Sequence, residues 1–204
     1  MKPVSLFNGK SLRNSKHLDF GSGNSPRNPF LCEEIYTVDL YGSAQDNHFV
    51  IKQGDPLPFP DDYFASISAY DVLEHISRDT DGKNLFIFYM NEICRVLNHT
   101  GYAVFVFPSF PHRDAFSDPT HINYITAETL NYFLGDNSTG SYAGITTTYK
   151  LQRNSKLRFW KDWAADPSVS EFEHLNLRRK LSLAKRTFFR VINPGHRIWI
   201  LQKL

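Results

Sequence analysis

Apolar residues in the first half of the chain fall into short runs separated by turn-forming residues. His17-Leu18-Asp19-Phe20 ends one run, Ile35-Tyr36-Thr37-Val38 forms a second, Phe49-Val50-Ile51-Lys52-Gln53 a third and Tyr63 to Tyr70 a fourth. These runs are rich in β-branched and aromatic residues and stop at Gly, Asp or Pro, which reads as strands. Between Asn84 and Leu97 the period changes: Leu85, Phe88, Tyr89, Ile93, Val96 and Leu97 share one face of a helix. Asn98-His99-Thr100-Gly101 predicts its stop, with a glycine cap. Tyr102 to Phe107 is an unbroken apolar run of the kind buried on both faces. The alternation over residues 16–107 predicts an α/β fold: one doubly wound, Rossmann-like sheet, mostly parallel, with helices on both faces.

The second half changes character. Residues 108–144 are rich in Pro, Ser, Asp, Asn and Gly, with a short helix predicted over Ala127–Phe133 and Thr126 as its cap. Thr146–Arg153 alternates as a strand, Glu171–Val191 reads as a basic amphipathic helix, and Arg197–Gln202 makes a last strand after the Asn193-Pro194-Gly195 turn. The expected organisation is a single domain over 1–204. Within it, 16–108 is a cofactor-binding half, 109–144 a substrate-covering insert and 145–204 the C-terminal strands and basic helix.

Composition narrows this only a little. The 204 residues suffice for a full core, and 41% hydrophobic with 22% charged residues is ordinary for a soluble globular protein. A net charge of +2 gives no case for nucleic acid by itself. Aromatic residues make up 15%, which suits a site lined with rings. Cys32 and Cys94 have no metal-like spacing and read as buried free thiols of a reducing compartment. The first residues lack the apolar stretch of a signal peptide, and no run approaches about 18 apolar residues. The expectation is a soluble, cytoplasmic protein.

The chemistry begins at Asp19-Phe20-Gly21-Ser22-Gly23, where the first strand meets a glycine turn. Glycines there permit a tight turn and let backbone N–H groups approach a ligand. Asp39, twenty residues past Asp19, closes the second strand where a carboxylate could accept hydrogen bonds from ribose hydroxyls. Strand, glycine turn, short helix, strand and acid describe the first half of a nucleotide-binding unit. The third glycine of the dinucleotide pattern is missing, since Ser25 and Pro26 occupy that region. No Lys or Arg lies in the turn to meet a phosphate.

Asp55 to His75, containing Leu57-Pro58-Phe59-Pro60-Asp61 and Val72-Leu73-Glu74-His75, resembles the class I S-adenosylmethionine-dependent methyltransferases. Within them it is similar to the small methyltransferase-domain group of surface-polysaccharide and related biosynthesis. Leu18 to Gly23, Val38-Asp39 and Glu92 to Leu97 before Gly101 match in the same order. Two departures stand out: Ala65 occupies a position usually held by Asp, and little N-terminal helical cap precedes the first strand. The cover would then come from the insert or from a partner subunit. The resemblance implies a seven-stranded sheet with the last strand antiparallel, and S-adenosyl-L-methionine as cofactor, leaving S-adenosyl-L-homocysteine. It places Gly21 and Gly23 against the methionine part, counts Asp19 and Ser22 among the cofactor-binding residues, and puts Asp39 on the ribose, Leu40 with Pro56 or Leu57 beside adenine and Asp55 on the adenine amine. Tyr70, with Phe20 as an alternative, would face the sulfonium.

The insert, Pro108 to Tyr124, concentrates His, Arg, Asp and Tyr. Its Asp118-Pro119-Thr120-His121 resembles a stretch of the polysaccharide-type methyltransferases. His121 is the expected general base, oriented by Asp118 or Asp114, with Arg113 holding an anionic acceptor and Asn123 and Tyr124 binding hydroxyls. A metal set of His112, Asp114, Asp118 and His121 matches no ligand template, so no metal is expected. Glu74-His75 reads as packing at a helix start. The expected reaction is O-methylation of a small-molecule or glycan-like acceptor. Two alternatives stay open: a cofactor-binding regulatory protein that no longer catalyses, and a nucleic-acid methyltransferase. The helix with Arg178, Arg179, Lys180, Lys185, Arg186 and Arg190 could lie against a membrane surface, and a homodimer is open.

Overall fold

The computed structural model describes residues 12, 14–43, 46–78, 82–135, 138–157 and 195–204. Strands β1 (Lys16–Phe20), β2 (Glu34–Asp39), β3 (His48–Val50), β4 (Phe64–Tyr70), β5 (Leu97–Pro108), β6 (Tyr149–Lys156) and β7 (His196–Lys203) form one sheet. Helices α1 (Leu85–Val96), α2 (Asp114–Ser117) and α3 (Ser138–Tyr142) accompany it, with 3₁₀ turns at Leu73–His75 and Glu128–Phe133. The strand order is β3-β2-β1-β4-β5-β7-β6. Strands β1 to β5 pair in parallel, and β7 runs antiparallel to both β5 and β6. Six strands therefore share one direction and the last in the chain opposes them, as expected.

This order fixes where a ligand can bind. The chain builds outward from β1 to β3, then returns to place β4 on the other side of β1. Loops leaving β1 and β4 diverge there and open a crevice beyond the carboxyl ends of the strands.

Strand alternation sorts the core into two faces. Leu18, Phe20, Ile67, Ala69, Ala103, Phe105, Phe107, Trp199 and Leu201 pack against Leu85, Tyr89, Met90, Ile93 and Val96 of α1. The opposite face carries Tyr70, Val104, Val106, Ile198 and Ile200, joined by Leu157, Phe30 and Tyr102. Helix α1 starts where the pattern predicts, with the Asn84 side chain accepting from the Ile87 N–H at 3.2 Å. Among the described residues no helix is long and apolar enough to cross a membrane.

Three local expectations change. Residues 21–33 form turns, not the short helix expected after the glycine turn. Pro26 and Pro29 lie in this stretch and each lacks an N–H, so helix there would leave carbonyls unpaired. Helix α1 ends without a glycine cap: Leu97 is already extended, Thr100 takes the positive φ of 64°, and β5 begins at once. Gly101 serves close approach instead, since an added Cβ would lie 2.8 Å from Asn98 O and 3.0 Å from Ala65 O. The Ala127–Phe133 segment is a 3₁₀ turn, capped as expected by the Thr126 hydroxyl, which accepts from the N–H groups of Glu128 and Thr129. The predicted basic helix over Glu171–Val191 lies outside the described residues.

Candidate active site at the carboxyl edge of the sheet

The turn after β1 is held from two sides. Gly21 has φ +75°, and its N–H donates to Val38 O of β2 at 2.7 Å. An added Cβ would sit 2.2 Å from Val72 Cγ2, so only glycine lets the β1 turn lie against the β4 turn. Asp39, at the end of β2, accepts from the N–H of Gly23 at 2.8 Å, of Leu40 at 2.7 Å and of Tyr41 at 3.2 Å. A carboxylate offers about four lone-pair sites, so one remains open here. All three bonds are exposed, and a diol approaching Asp39 Oδ2 would compete with the Gly23 N–H there. A Cβ at Gly23 would meet nothing within 4 Å, so this edge of the turn faces open space. Leu40 and Tyr41 beside it are exposed.

The loop after β3 forms the far wall. Asp55 is exposed and accepts from the Lys52 N–H at 2.9 Å; Pro56 is exposed and Leu57 buried. Two side chains of α1 set this loop's path. Arg95 donates to the carbonyls of Leu57 and Phe59 and to the carboxylates of Glu92 and Asp61, while Glu92 accepts from the Leu57 N–H. These carboxylates push the Arg95 guanidinium pKa still higher than usual. This explains physically why the Leu57–Asp61 stretch and the Glu92-x-x-Arg95 pair occur together: one is the wall and the other its fastening. Tyr89 adds a second tie, its hydroxyl accepting from the Gly54 N–H at 2.8 Å.

Beneath the turn runs a buried polar chain. Ser68 donates to Asp19 Oδ1 at 2.7 Å, and His17 lies between Ser66 at 2.8 Å and Ser68 at 2.9 Å. Because the Ser68 proton is committed to Asp19, Ser68 accepts from His17 Nε2–H, and His17 Nδ1 accepts from Ser66. Burial drives the His17 pKa down to about 3, so it stays neutral. Asp19 Oδ2 accepts from the Arg27 N–H at 2.8 Å, which pulls the 21–27 loop over the sheet. Asp19 is itself 2% exposed. It organises the turn from below.

The insert after β5 returns to the end of β4. The Glu74 carbonyl accepts from the N–H groups of Ile122 and Asn123, and the Asn123 side chain donates to the carbonyls of Leu73 and Ile76. This sets His121 over the 3₁₀ turn, with Nε2 3.9 Å from Glu74 Oε1. The rings of His75 and His121 meet edge to face with centroids 4.7 Å apart. Glu74 is 1% exposed, and neither carboxylate oxygen has a hydrogen-bond partner. Burial pushes its pKa up to about 8, and the nearby Asp71 and Asp118 add to the rise.

The sequence-predicted site residues divide accordingly. Gly21, Gly23, Asp39 and Leu40 gather at one crevice, with Asp55, Pro56 and Leu57 on the loop along it. Ser22 is buried in the turn, its hydroxyl facing Gly23 O at 3.3 Å. Tyr70 is buried on the face opposite α1, and the Arg27 guanidinium lies 4.3 Å from its ring centre. Phe20 packs into the α1 core against Tyr89. Asp118 does not orient His121 by a hydrogen bond. It accepts from Thr120 N and Oγ, while the Ala115 carbonyl meets His121 Nδ1 at 3.1 Å. Asp114 faces His112 and Gly195. Arg113 has 88% of its side chain exposed. Asn123 spends its amide on the backbone, whereas Tyr124 is exposed beside Phe116, with ring centres 4.8 Å apart. His112, Asp114, Asp118 and His121, the set that matched no ligand template, do not come together as one cluster. Glu74 and His75, read from sequence as packing, join His121 instead.

A scan against protein-family models matches none, and a search of curated proteins finds none. Solved structures do match along nearly the whole chain. A SAM-dependent methyltransferase of Mesorhizobium loti aligns with TM-score 0.54 and 10% identity, covering 98% of this chain and 94% of its own. One from Archaeoglobus fulgidus aligns with TM-score 0.53 and 18% identity, covering 95% and 88%. The fold is that of the class I methyltransferases. The same fold also carries the [4+2]-cyclase SpnF, which aligns with TM-score 0.51 and 14% identity over 94% of this chain and 75% of its own. At such identities the likeness concerns architecture, and the reaction has to be argued from the site.

Proposed function

We propose that the protein is an S-adenosylmethionine-dependent methyltransferase acting on an oxygen of a small or glycan-like acceptor. The observation that carries this reading is the pairing of the Gly21 turn after β1 with Asp39 at the end of β2, beside the β1–β4 switch point. Ribose hydroxyls fit the open lone pair of Asp39 and the Gly23 site next to it. The exposed Leu40 and Tyr41 offer adenine an apolar side, with Asp55 as an acceptor for its amine. The methionine part would lie along Gly21 and Gly23, over the floor that Asp19 and Ser22 hold. The bound cofactor supplies a methyl group on a sulfonium, an electrophile that an acceptor oxygen can displace in line. Folded neighbours that are SAM-dependent methyltransferases support the same assignment.

The chain's own work is to hold the acceptor and remove its proton. Half-exposed Phe110, Phe116 and Tyr124 form a ring platform on the insert, suited to the apolar face of a sugar or another flat ring. The Glu74–His75–His121 cluster lies at the end of β4, where lone pairs converge. Within it His121 keeps Nε2 as the lone pair if Nδ1–H donates to Ala115 O, so a hydroxyl proton can be accepted there.

The non-catalytic alternative finds one supporting observation. Arg27 already lies over the Tyr70 ring, where a sulfonium was expected. The test follows transfer of a labelled methyl group to a panel of glycosides and phenols, in wild type and in His121→Asn. Methylated product is expected from wild type, with turnover about 10²–10⁴-fold lower in the variant and S-adenosylhomocysteine affinity within twofold. Cofactor binding with no transfer to any acceptor would favour the regulatory alternative.

A further inference from the structure

Three side chains from two segments bring bare lone pairs to one point. His121 Nδ1 meets the Ala115 carbonyl at 3.1 Å, and a carbonyl can only accept. Nδ1 therefore carries the proton and Nε2 is left as a lone pair. His75 Nδ1 lies 3.0 Å from Thr120 Oγ1, which lies 2.6 Å from Asp118 Oδ1. The Thr120 proton goes to the carboxylate, so Thr120 accepts from His75 Nδ1–H, and His75 Nε2 is bare as well. Glu74 completes the set with a carboxylate that is 1% exposed and receives no hydrogen bond. One ligand atom from each residue lies within 4.8 Å of the other two. One water has only two protons to donate to these three acceptors, whereas a single cation can meet all three.

We infer that Glu74, His75 and His121 form a binding site for a divalent first-row transition metal ion, with open positions for an oxygen of the acceptor. Two imidazoles and a carboxylate are a donor set suited to zinc, cobalt or iron and leave coordination positions free. An ion about 2.1 Å from each donor would bring them to about 3.3 Å apart, a contraction of an ångström or so. The outer contacts are also those of a metal site. Each histidine has its Nδ1–H fixed, one by a backbone carbonyl and the other through Thr120 to Asp118, which orients the ring and makes Nε2 more basic. Backbone bonds from Ile122 and Asn123 to the Glu74 carbonyl hold the two ligand-bearing segments together.

The consequence for chemistry rests on the proposed methyl transfer. With the ion present, His121 acts as a ligand, and the ion makes a coordinated hydroxyl acidic enough to lose its proton to water. An acceptor with two neighbouring hydroxyls could occupy two open positions, so a vicinal diol or catechol is the favoured substrate class.

The test is titration of chelator-treated protein with Zn²⁺ and, separately, Co²⁺, followed by calorimetry and by the visible absorption of Co²⁺. One ion per chain is expected. Glu74→Gln, His75→Asn and His121→Asn should each weaken binding at least tenfold, and Thr120→Val about tenfold through the outer contact. His112→Asn should stay within twofold. Circular dichroism and S-adenosylhomocysteine binding check that each variant is folded. No stoichiometric ion in wild type, or equal affinity in the Glu74 and His112 variants, would overturn the site. Homocysteine-form cofactor binding without metal binding would overturn only this inference; metal binding without cofactor binding would overturn only the methyl-transfer reading.

Discussion

His17 sits between two serines in the middle of the sheet, fully buried and neutral. Its folded pKa of about 3 is far below the ordinary 6.5, so the unfolded chain binds a proton that the folded chain refuses. Stability contributed by this residue is fully present above pH 6.5 and is lost as pH falls toward 3, at up to about 1.4 kcal/mol per pH unit. Urea unfolding at pH 7.5, 6 and 5 checks this. His17→Gln should be less stable at pH 7.5 yet lose less on acidification; an unchanged slope would contradict the assignment. The same chain of hydrogen bonds shows what single residues reveal in a sequence and what they do not. Asp39 could be picked out by its distance from Asp19 and its place at a strand end. Glu74 could not, because its significance lies in being buried with no donor.

Helix α1 acts on the site through its outer edge. Its buried side fills the core, as the Leu85, Tyr89, Ile93 and Val96 spacing indicates, while Glu92 and Arg95 turn toward the Leu57–Asp61 loop. Arg95→Ala removes donors to two carbonyls and two carboxylates and should cost about 2–3 kcal/mol of stability. Thermal unfolding measures that loss, and protease cleavage between 52 and 62 should quicken; an unaltered melting temperature would contradict the role. The strands and α1 were legible because periodicity is set locally by burial on one face. The helix end was not: Gly101 suggested a cap, but glycine is needed there because the Asn98 carbonyl and, from β4, the Ala65 carbonyl lie too close for a Cβ. The connection after Gly23 follows a path set by Pro26, Pro29 and the bond between Arg27 N–H and Asp19 rather than by a repeating pattern.

For the molecule as a whole, strand order decides the location of chemistry before any ligand is considered. The reversal between β3 and β4 opens a crevice at Gly21, Asp39 and Asp71, and the β5 insert folds back to the same edge. The sheet and its single antiparallel strand could be anticipated from the order of apolar runs and the motif resemblance. The meeting of His121 with Glu74 and His75 could not, because residues 74 and 121 are joined only by the insert's fold. The central claim is that this crevice binds S-adenosylmethionine. Calorimetric titration of the folded wild-type chain with S-adenosylhomocysteine tests it most directly. One site per chain is predicted, with affinity about 10- to 100-fold weaker in Asp39→Ala, the worth of a hydrogen bond to a charged group. Absence of binding by the folded wild-type chain would contradict it.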